Sequence, residues 1–279
     1  MTPRTILGIF AHPDDELMAG GTLAYHAAHG DHVVIACVTG GEIGEISEPH
    51  LATPETLPTV RAAELRAAAA ALGIDDVRLV GFRDSGMVGT LPNDDPRSLH
   101  SFDPQAATMR FLTLIREVRP HVVITHDPTG GYGHPDHIAT SRYVTAAYDV
   151  AGDAAAFPEA GPAHQPQRLY YGVMARSFFE TMRTMMAQAG VDTSIFNRPE
   201  GAPMGYADDA IDLSVDVQRY APTKWAGFEA HKTQFGPNSP IRQMPLEVQQ
   251  SMFTHEHYVV ARPTGLRVAR DGGLFDVSG

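Results

Sequence analysis

Short apolar runs, each followed by a longer stretch of helical periodicity, restrict this chain to a small set of architectures. Residues 6–11, 32–38, 77–81 and 121–125 read as strands. Residues 15–29, 59–72, 106–118 and 137–148 read as helices, and Gly30 and Gly73 close the first two. Strands that alternate with helices imply parallel βαβ units with helices on both faces of the sheet. The expected fold class is therefore α/β, with a Rossmann-like, mostly parallel sheet. In such sheets ligands gather outside the carboxyl ends of the strands, which says where to look for chemistry.

The C-terminal part is less regular. Residues 152–166 are rich in Ala, Pro and Gly and read as a loop, 168–173 as a strand, and 176–189 as a helix lined with methionines that serve as core filler. Residues 197–208 look irregular, 215–231 helical and 257–261 a final strand. With no internal repeat, the chain reads as one α/β domain over 1–279. Its core runs over about 1–173, a cap and return strand over about 174–265, and a tail over 266–279, of which 270–279 is expected to be poorly ordered.

Composition narrows the partners. A formal charge of −12 argues against duplex nucleic acid or an anionic membrane surface. Cys37 is the only cysteine, so an intrachain disulfide and a Cys-rich zinc site are both excluded, and its apolar surroundings suggest a buried, inert thiol. The N-terminal residues lack a signal-peptide pattern, and no apolar run approaches the ~20 residues that span a bilayer. A cytoplasmic protein acting on a small molecule is expected, and a homo-oligomer is compatible with everything above.

The sharpest local signal is a pair of elbows. Ala11-His12-Pro13-Asp14-Asp15-Glu16 follows the first strand, and Gly133-His134-Pro135-Asp136-His137 follows the strand at 121–125. One such segment is explained by helix capping, because proline at the first helical position and acids in the first turn make a good helix start. Two of them, both at strand carboxyl ends, call for more. His12 and Asp15 are three residues apart, as are His134 and His137, so each pair can point one way from a helical turn. Strands about 5 Å apart let two elbows converge on one ion. Two histidines and a carboxylate form a catalytic zinc set that leaves a position for water or substrate, and the mixture suits zinc better than magnesium. The surplus groups suit hydrolysis: Asp14 as a base, and His134, paired with Asp136, to polarise a carbonyl or protonate a leaving nitrogen.

These elbows resemble those of the PIG-L/LmbE-like deacetylases, which use zinc to deacetylate N-acetylglucosamine groups in small molecules. Gly81-Phe82-Arg83-Asp84-Ser85-Gly86-Met87, Asp127-Pro128-Thr129-Gly130-Gly131-Tyr132-Gly133 and Glu256-His257-Tyr258-Val259 are similar to the mycothiol-biosynthesis branch, with its sister mycothiol S-conjugate amidases. The resemblance is strongest over residues 5–150 and thin over 174–230. It implies His12, Asp15 and His137 as zinc ligands, one ion per chain with Fe2+ as the substitute. It further implies Asp14 as general base, His134 as the electrophilic or acid histidine with Asp136 orienting it, and Tyr132 as a loop tyrosine that helps stabilise the oxyanion. Arg61 and Asp84 match sugar-binding positions. Ala230-His231-Lys232-Thr233-Gln234 resembles a family motif near the site, to which no catalytic role is assigned. Glu42 and Glu45 either face the pocket or solubilise their loop. The C-terminal cap departs from the mycothiol group over 194–208 and 235–242.

The expected activity is hydrolysis of the N-acetyl bond of an N-acetylglucosamine-containing small molecule, such as a glucosaminyl-inositol or a thiol-precursor glycoside. A thiol S-conjugate amidase, a zinc hydratase on the same scaffold, and a metal-binding protein without catalysis are the alternatives. A nucleotide site is disfavoured, because no G-x-G-x-x-G follows the first strand.

Overall fold

The computed structural model describes residues 2–188, 190, 192–194, 204–239, 241–244, 249 and 252–276. Within them, β1 (Thr5–Phe10), β2 (His32–Thr39), β3 (Asp76–Phe82), β4 (Val122–His126), β5 (Arg168–Val173), β6 (Leu213–Asp216) and β7 (His255–Arg262) form one sheet, ordered β3-β2-β1-β4-β5-β7-β6. The first five strands run parallel, while β7 lies antiparallel to both β5 and β6. The helices are α1 (Gly20–Ala28), α2 (Leu57–Ala71), α3 (Pro104–Val118), α4 (Pro135–Val150), α5 (Arg176–Gln188) and α6 (Ala221–Ala230).

Successive side chains of a strand point to opposite faces, so a strand buried on both sides feeds two cores. In β1, Leu7 and Ile9 join one apolar cluster with Phe111 and Ile115 of α3 and Tyr143 and Val144 of α4. Ile6 and Phe10 join the other, with Leu23 of α1, Leu65 and Ala69 of α2, and Tyr258 of β7. Valines of β2 divide the same way, Val34 to the first cluster and Val33 to the second. The β1–β4 pair is where strand order reverses, and the crevice at its carboxyl end is the standard ligand position of an open α/β sheet.

Three expectations need correction. Residues 15–29 are not one helix: a 3-10 turn, Asp15–Met18, precedes α1, which starts at Gly20. Gly20-Gly21 is a poor place to propagate a helix but a good place to start one, and the Gly21 and Thr22 N–H groups donate to the Glu256 carboxylate at 2.7 and 2.8 Å. Residues 215–231 are not one helix either. Ile211, Leu213, Val215 and Val217 alternate with polar residues, a period of two that makes β6, and α6 begins only at Ala221 with Pro222 in its first turn. As far as Asp276 the tail is docked, not loose: Leu274 is fully buried, Arg168 donates to the Leu274 and Phe275 carbonyls, and Arg4 stacks on Phe275 at 4.0 Å.

The methionine-lined helix is as expected through Gln188, with Met182 and Met186 packed against Met244. Its expected last residue, Ala189, lies outside the described residues, as do 197–203 of the irregular stretch and 277–279 of the tail. No described helix is long and apolar enough to cross a membrane.

Candidate metal centre and active site

Both elbows sit at the crevice between β1 and β4. His12 leaves the end of β1 and His137 lies in the first turn of α4, just after β4. Their ring nitrogens and the Asp15 carboxylate form a triangle. His12 Nδ1 is 3.2 Å from Asp15 Oδ2 and 3.2 Å from His137 Nε2, which is itself 3.2 Å from Asp15 Oδ2. Three ligands at ~2.0–2.1 Å in a tetrahedral zinc shell sit about 3.3 Å from one another, so the triangle matches one face of that shell. The Asp15 carboxyl stays well below the usual carboxylate range: burial opposes this, but His137, His126 and His12 around it prevail.

Among the described residues, three other groupings of donors lie within reach of an ion, His12–His134–His137, His12–Asp84–His134–Asp136 and Asp15–His126–His137, and each includes atoms that hydrogen bonds already engage. His126 Nε2 is 3.6 Å from Asp15, but it already accepts the Ala11 N–H at 3.0 Å. In the set His12, Asp84, His134 and Asp136, both carboxylates are occupied. Asp84 takes the Gly86 and Ile43 N–H groups at 2.7 and 3.3 Å. Asp136 takes the Ser85 N–H at 2.9 Å together with the Ser85 hydroxyl. Asp136 Oδ2 also lies 3.2 Å from His12 Nε2, the usual arrangement in which a carboxylate takes the second ring N–H of a ligand histidine.

That contact changes the expected role of Asp136. Its carboxylate grips His12, not His134. His134 meets Asp136 through the backbone instead, its Nδ1 accepting the Asp136 N–H at 3.1 Å and capping α4. With Nδ1 as acceptor, the neutral ring carries its proton on Nε2, which makes that atom a donor. Burial and the nearby His12 and His137 push the His134 pKa down to about 4, against the pull of Asp136. The ring stands edge-on to His12, centroids 4.6 Å apart.

Asp14 occupies the left-handed region at φ 107°, a conformation that costs a non-glycine residue ~1–3 kcal/mol and persists only where its surroundings impose it. Its N–H donates to Glu16 Oε2 at 2.9 Å, and Arg61 Nη2 lies 3.3 Å from its carboxylate. Burial raises the Asp14 pKa to about 6, with Arg61 opposing and Asp15 adding to the rise.

Arg61 and Asp84, expected to bind sugar, both turn inward. Arg61 is 3% exposed and spends its two terminal nitrogens on the Gly41 and Pro13 carbonyls and on Asp14. Glu42 takes the Asp84 N–H at 3.1 Å, whereas Glu45 is exposed. Tyr132 is half exposed at the rim, its ring 5.1 Å from that of His137. Asp127 accepts the Thr129 and Gly131 N–H groups and so shapes the Tyr132 loop. Gly130 in that loop has φ 67°, and a Cβ there would come within 3.1 Å of His137 Cβ.

Four residues of the site have no role in the sequence reading: Ser85, Glu16 and His231, which stand inside its motifs, and His126, which does not. His126 lies one residue beyond the strand expected at 121–125, and Glu16 is the third acid of the first elbow. Glu256 and Tyr258, noted as a motif, are structural: Glu256 caps α1 and pairs with Lys224 at 2.6 Å, and the Tyr258 hydroxyl donates to Thr22.

Comparison with known proteins gives the family. The profile of the PIG-L family, described as GlcNAc-PI de-N-acetylase, matches residues 7–148. The 1D-myo-inositol 2-acetamido-2-deoxy-alpha-D-glucopyranoside deacetylase of Geodermatophilus obscurus is 36% identical over 285 residues, covering 98% of this chain and 96% of that protein. Among solved structures, the N,N'-diacetylchitobiose deacetylase of Pyrococcus horikoshii has a TM-score of 0.63 at 16% identity, covering 93% of this chain and 84% of that one. The 4-carboxy-2-hydroxymuconate hydratase of Pseudomonas putida has a TM-score of 0.60 at 19% identity, covering 97% and 100%. The two structural likenesses establish a shared fold, and the near-full-length sequence likeness places this chain in the PIG-L family of de-N-acetylases.

Proposed function

We propose that this protein is a zinc-dependent N-deacetylase of a small N-acetylglucosamine-containing molecule, and that its substrate is the acetamido-glucosyl inositol named for its relatives. One observation carries the reading. Three donors at mutual distances of 3.2 Å leave the Asp14 carboxylate and His134 Nε2 beside them and outside the set, and hydrolysis, unlike binding, needs such extra groups. His12, Asp15 and His137 would hold the ion, and a set of two nitrogens and one carboxylate favours zinc, with Fe2+ as the substitute. When bound, the metal supplies Lewis acidity to the acyl oxygen and to the attacking water.

The protein's own groups do the rest. Asp14 accepts a proton from the water whose oxygen attacks the acetyl carbon. His134 donates from Nε2 to the acyl oxygen as its charge builds, and Tyr132 adds a second donor from the rim. As the C–N bond breaks, the proton held on Asp14 passes to the departing nitrogen, so acetate and a primary amine are released. Asp136 keeps the His12 ring turned so that Nδ1 faces Asp15 and His137. Arg61 acts as a support for the Asp14 loop rather than as a sugar ligand.

The likeness to the hydratase is one of fold alone, and no observation in the site favours water addition to a double bond. Zinc-loaded protein should release primary amine from the acetamido-glucosyl inositol faster than from thiol S-conjugates. Preference for the S-conjugates would make it an amidase, and absence of amine from both would overturn the reading.

A further inference from the structure

Glu16 and His231 form a buried pair that the reaction just described does not use. Both are fully buried, and His231 Nε2 lies 2.6 Å from Glu16 Oε1 across 215 residues of sequence. The second oxygen of Glu16 accepts the N–H of Asp14, the residue held at φ 107°. We infer that Glu16 and His231 are positioning residues for the hydrolysis, holding the Asp14 backbone in the left-handed conformation on which the placement of its carboxylate depends. The inference rests on Asp14 being the base.

A carboxylate sealed from water keeps its charge and its rotamer only while it is paired and hydrogen-bonded. For Glu16 that partner is the His231 ring. The ring has no second hold: its Nδ1 is buried without a partner among the described residues. What aims it is the segment after α6. Thr233 donates both its N–H and its hydroxyl to Glu64 of α2, the N–H at 2.9 Å. Glu64 and Arg61 lie three residues apart on α2, so both reach from one face of that helix. Arg61 goes directly to the Pro13 carbonyl, at 2.6 Å, and to Asp14. Glu64 reaches Asp14 the long way, through Thr233, His231 and Glu16. The two routes close on one strained residue from opposite sides, which is what keeps such a conformation populated. They also give the Ala230-His231-Lys232-Thr233-Gln234 segment a purpose: it carries the far end of the chain to the base, although His231 is outside the set of atoms that react.

A pair that only stabilised the fold would change melting temperature and leave turnover per zinc untouched. The test uses zinc-loaded protein and amine release from the acetamido-sugar substrate. His231→Ala and Glu16→Gln should each lower kcat by about tenfold or more, with KM and zinc content unchanged. His231→Gln, whose side-chain amide can donate to Glu16, should recover kcat to within about threefold of the natural protein. In an Asp14→Asn background, His231→Ala should change the residual rate by less than about twofold, because the residue it positions has already lost its function. If His231→Ala does not fold, Glu16→Gln carries the same cycle. The inference is overturned if the loss has the same factor in both backgrounds, if it follows zinc content, or if either variant turns over normally. Full turnover by Asp14→Asn would overturn both this inference and the role of Asp14. An additive loss on top of an inactive Asp14→Asn would overturn this inference alone.

Discussion

His134 does two things that one substitution can separate. Its Nδ1 caps α4 by accepting the Asp136 N–H, and its Nε2 is left to donate to an acyl oxygen. An asparagine carbonyl can take the same N–H, so His134→Asn keeps the cap and removes the donor. His134→Ala removes both. Loss of a helix N-cap costs about 1 kcal/mol, which in a chain of this size lowers the melting temperature by about 2–4 °C. Removal of one donor to a developing oxyanion costs roughly 10²–10³ in kcat, or ~2.7–4 kcal/mol. Amine release and thermal unfolding, measured on the same zinc-loaded preparations, should therefore dissociate. His134→Ala loses turnover and melts lower. His134→Asn loses turnover by the same factor, melts within about a degree of the natural protein, and keeps KM and zinc. Near-normal turnover by His134→Asn would show that the histidine is only a cap and would refute the donor role.

Three further outcomes follow from the geometry. Asp14→Asn should keep its zinc and fold while losing about 10²–10⁴ in kcat, measured by metal analysis beside amine release; loss of zinc would make it a ligand instead. Asp136→Asn should weaken zinc binding by about 10–100-fold in a chelator competition, because it frees the ring of His12; an unchanged affinity with a lower kcat would return Asp136 to His134. Burial pushes the Cys37 thiol well above its ordinary pKa, so it should resist a thiol reagent at pH 8 in the native protein and react once on unfolding. A fast native reaction would contradict that burial.

The parallel core and its active edge were legible because each rests on local patterns. Short apolar runs followed by helical patterns announced β1 to β5. His-Pro-Asp after two of those strands marks the crevice from local sequence alone. Errors arose where one pattern could be read two ways. The alternation from Ile211 to Val217 ran directly into a helix and was absorbed into it, and Gly20-Gly21 was read as the middle of a helix rather than its start. Apart from the convergence of the two elbows, contacts between distant residues were not legible. Nothing near Asp136 says that its carboxylate serves His12, 124 residues away, and nothing near Glu16 points to His231. Arg61 shows the same limit, since burial by loops that close over it decides whether a helix arginine meets substrate or backbone.

The central claim is that one zinc sits on the triangle His12 Nδ1, Asp15 Oδ2 and His137 Nε2. Anomalous scattering at the zinc edge, from crystals of zinc-loaded protein, tests it most directly. The account predicts a single peak within about 2.0–2.2 Å of those three atoms, with Asp84, His126 and Asp136 bound only to their protein partners. A peak held by the His12, Asp84, His134 and Asp136 set instead, or by His126, would contradict it.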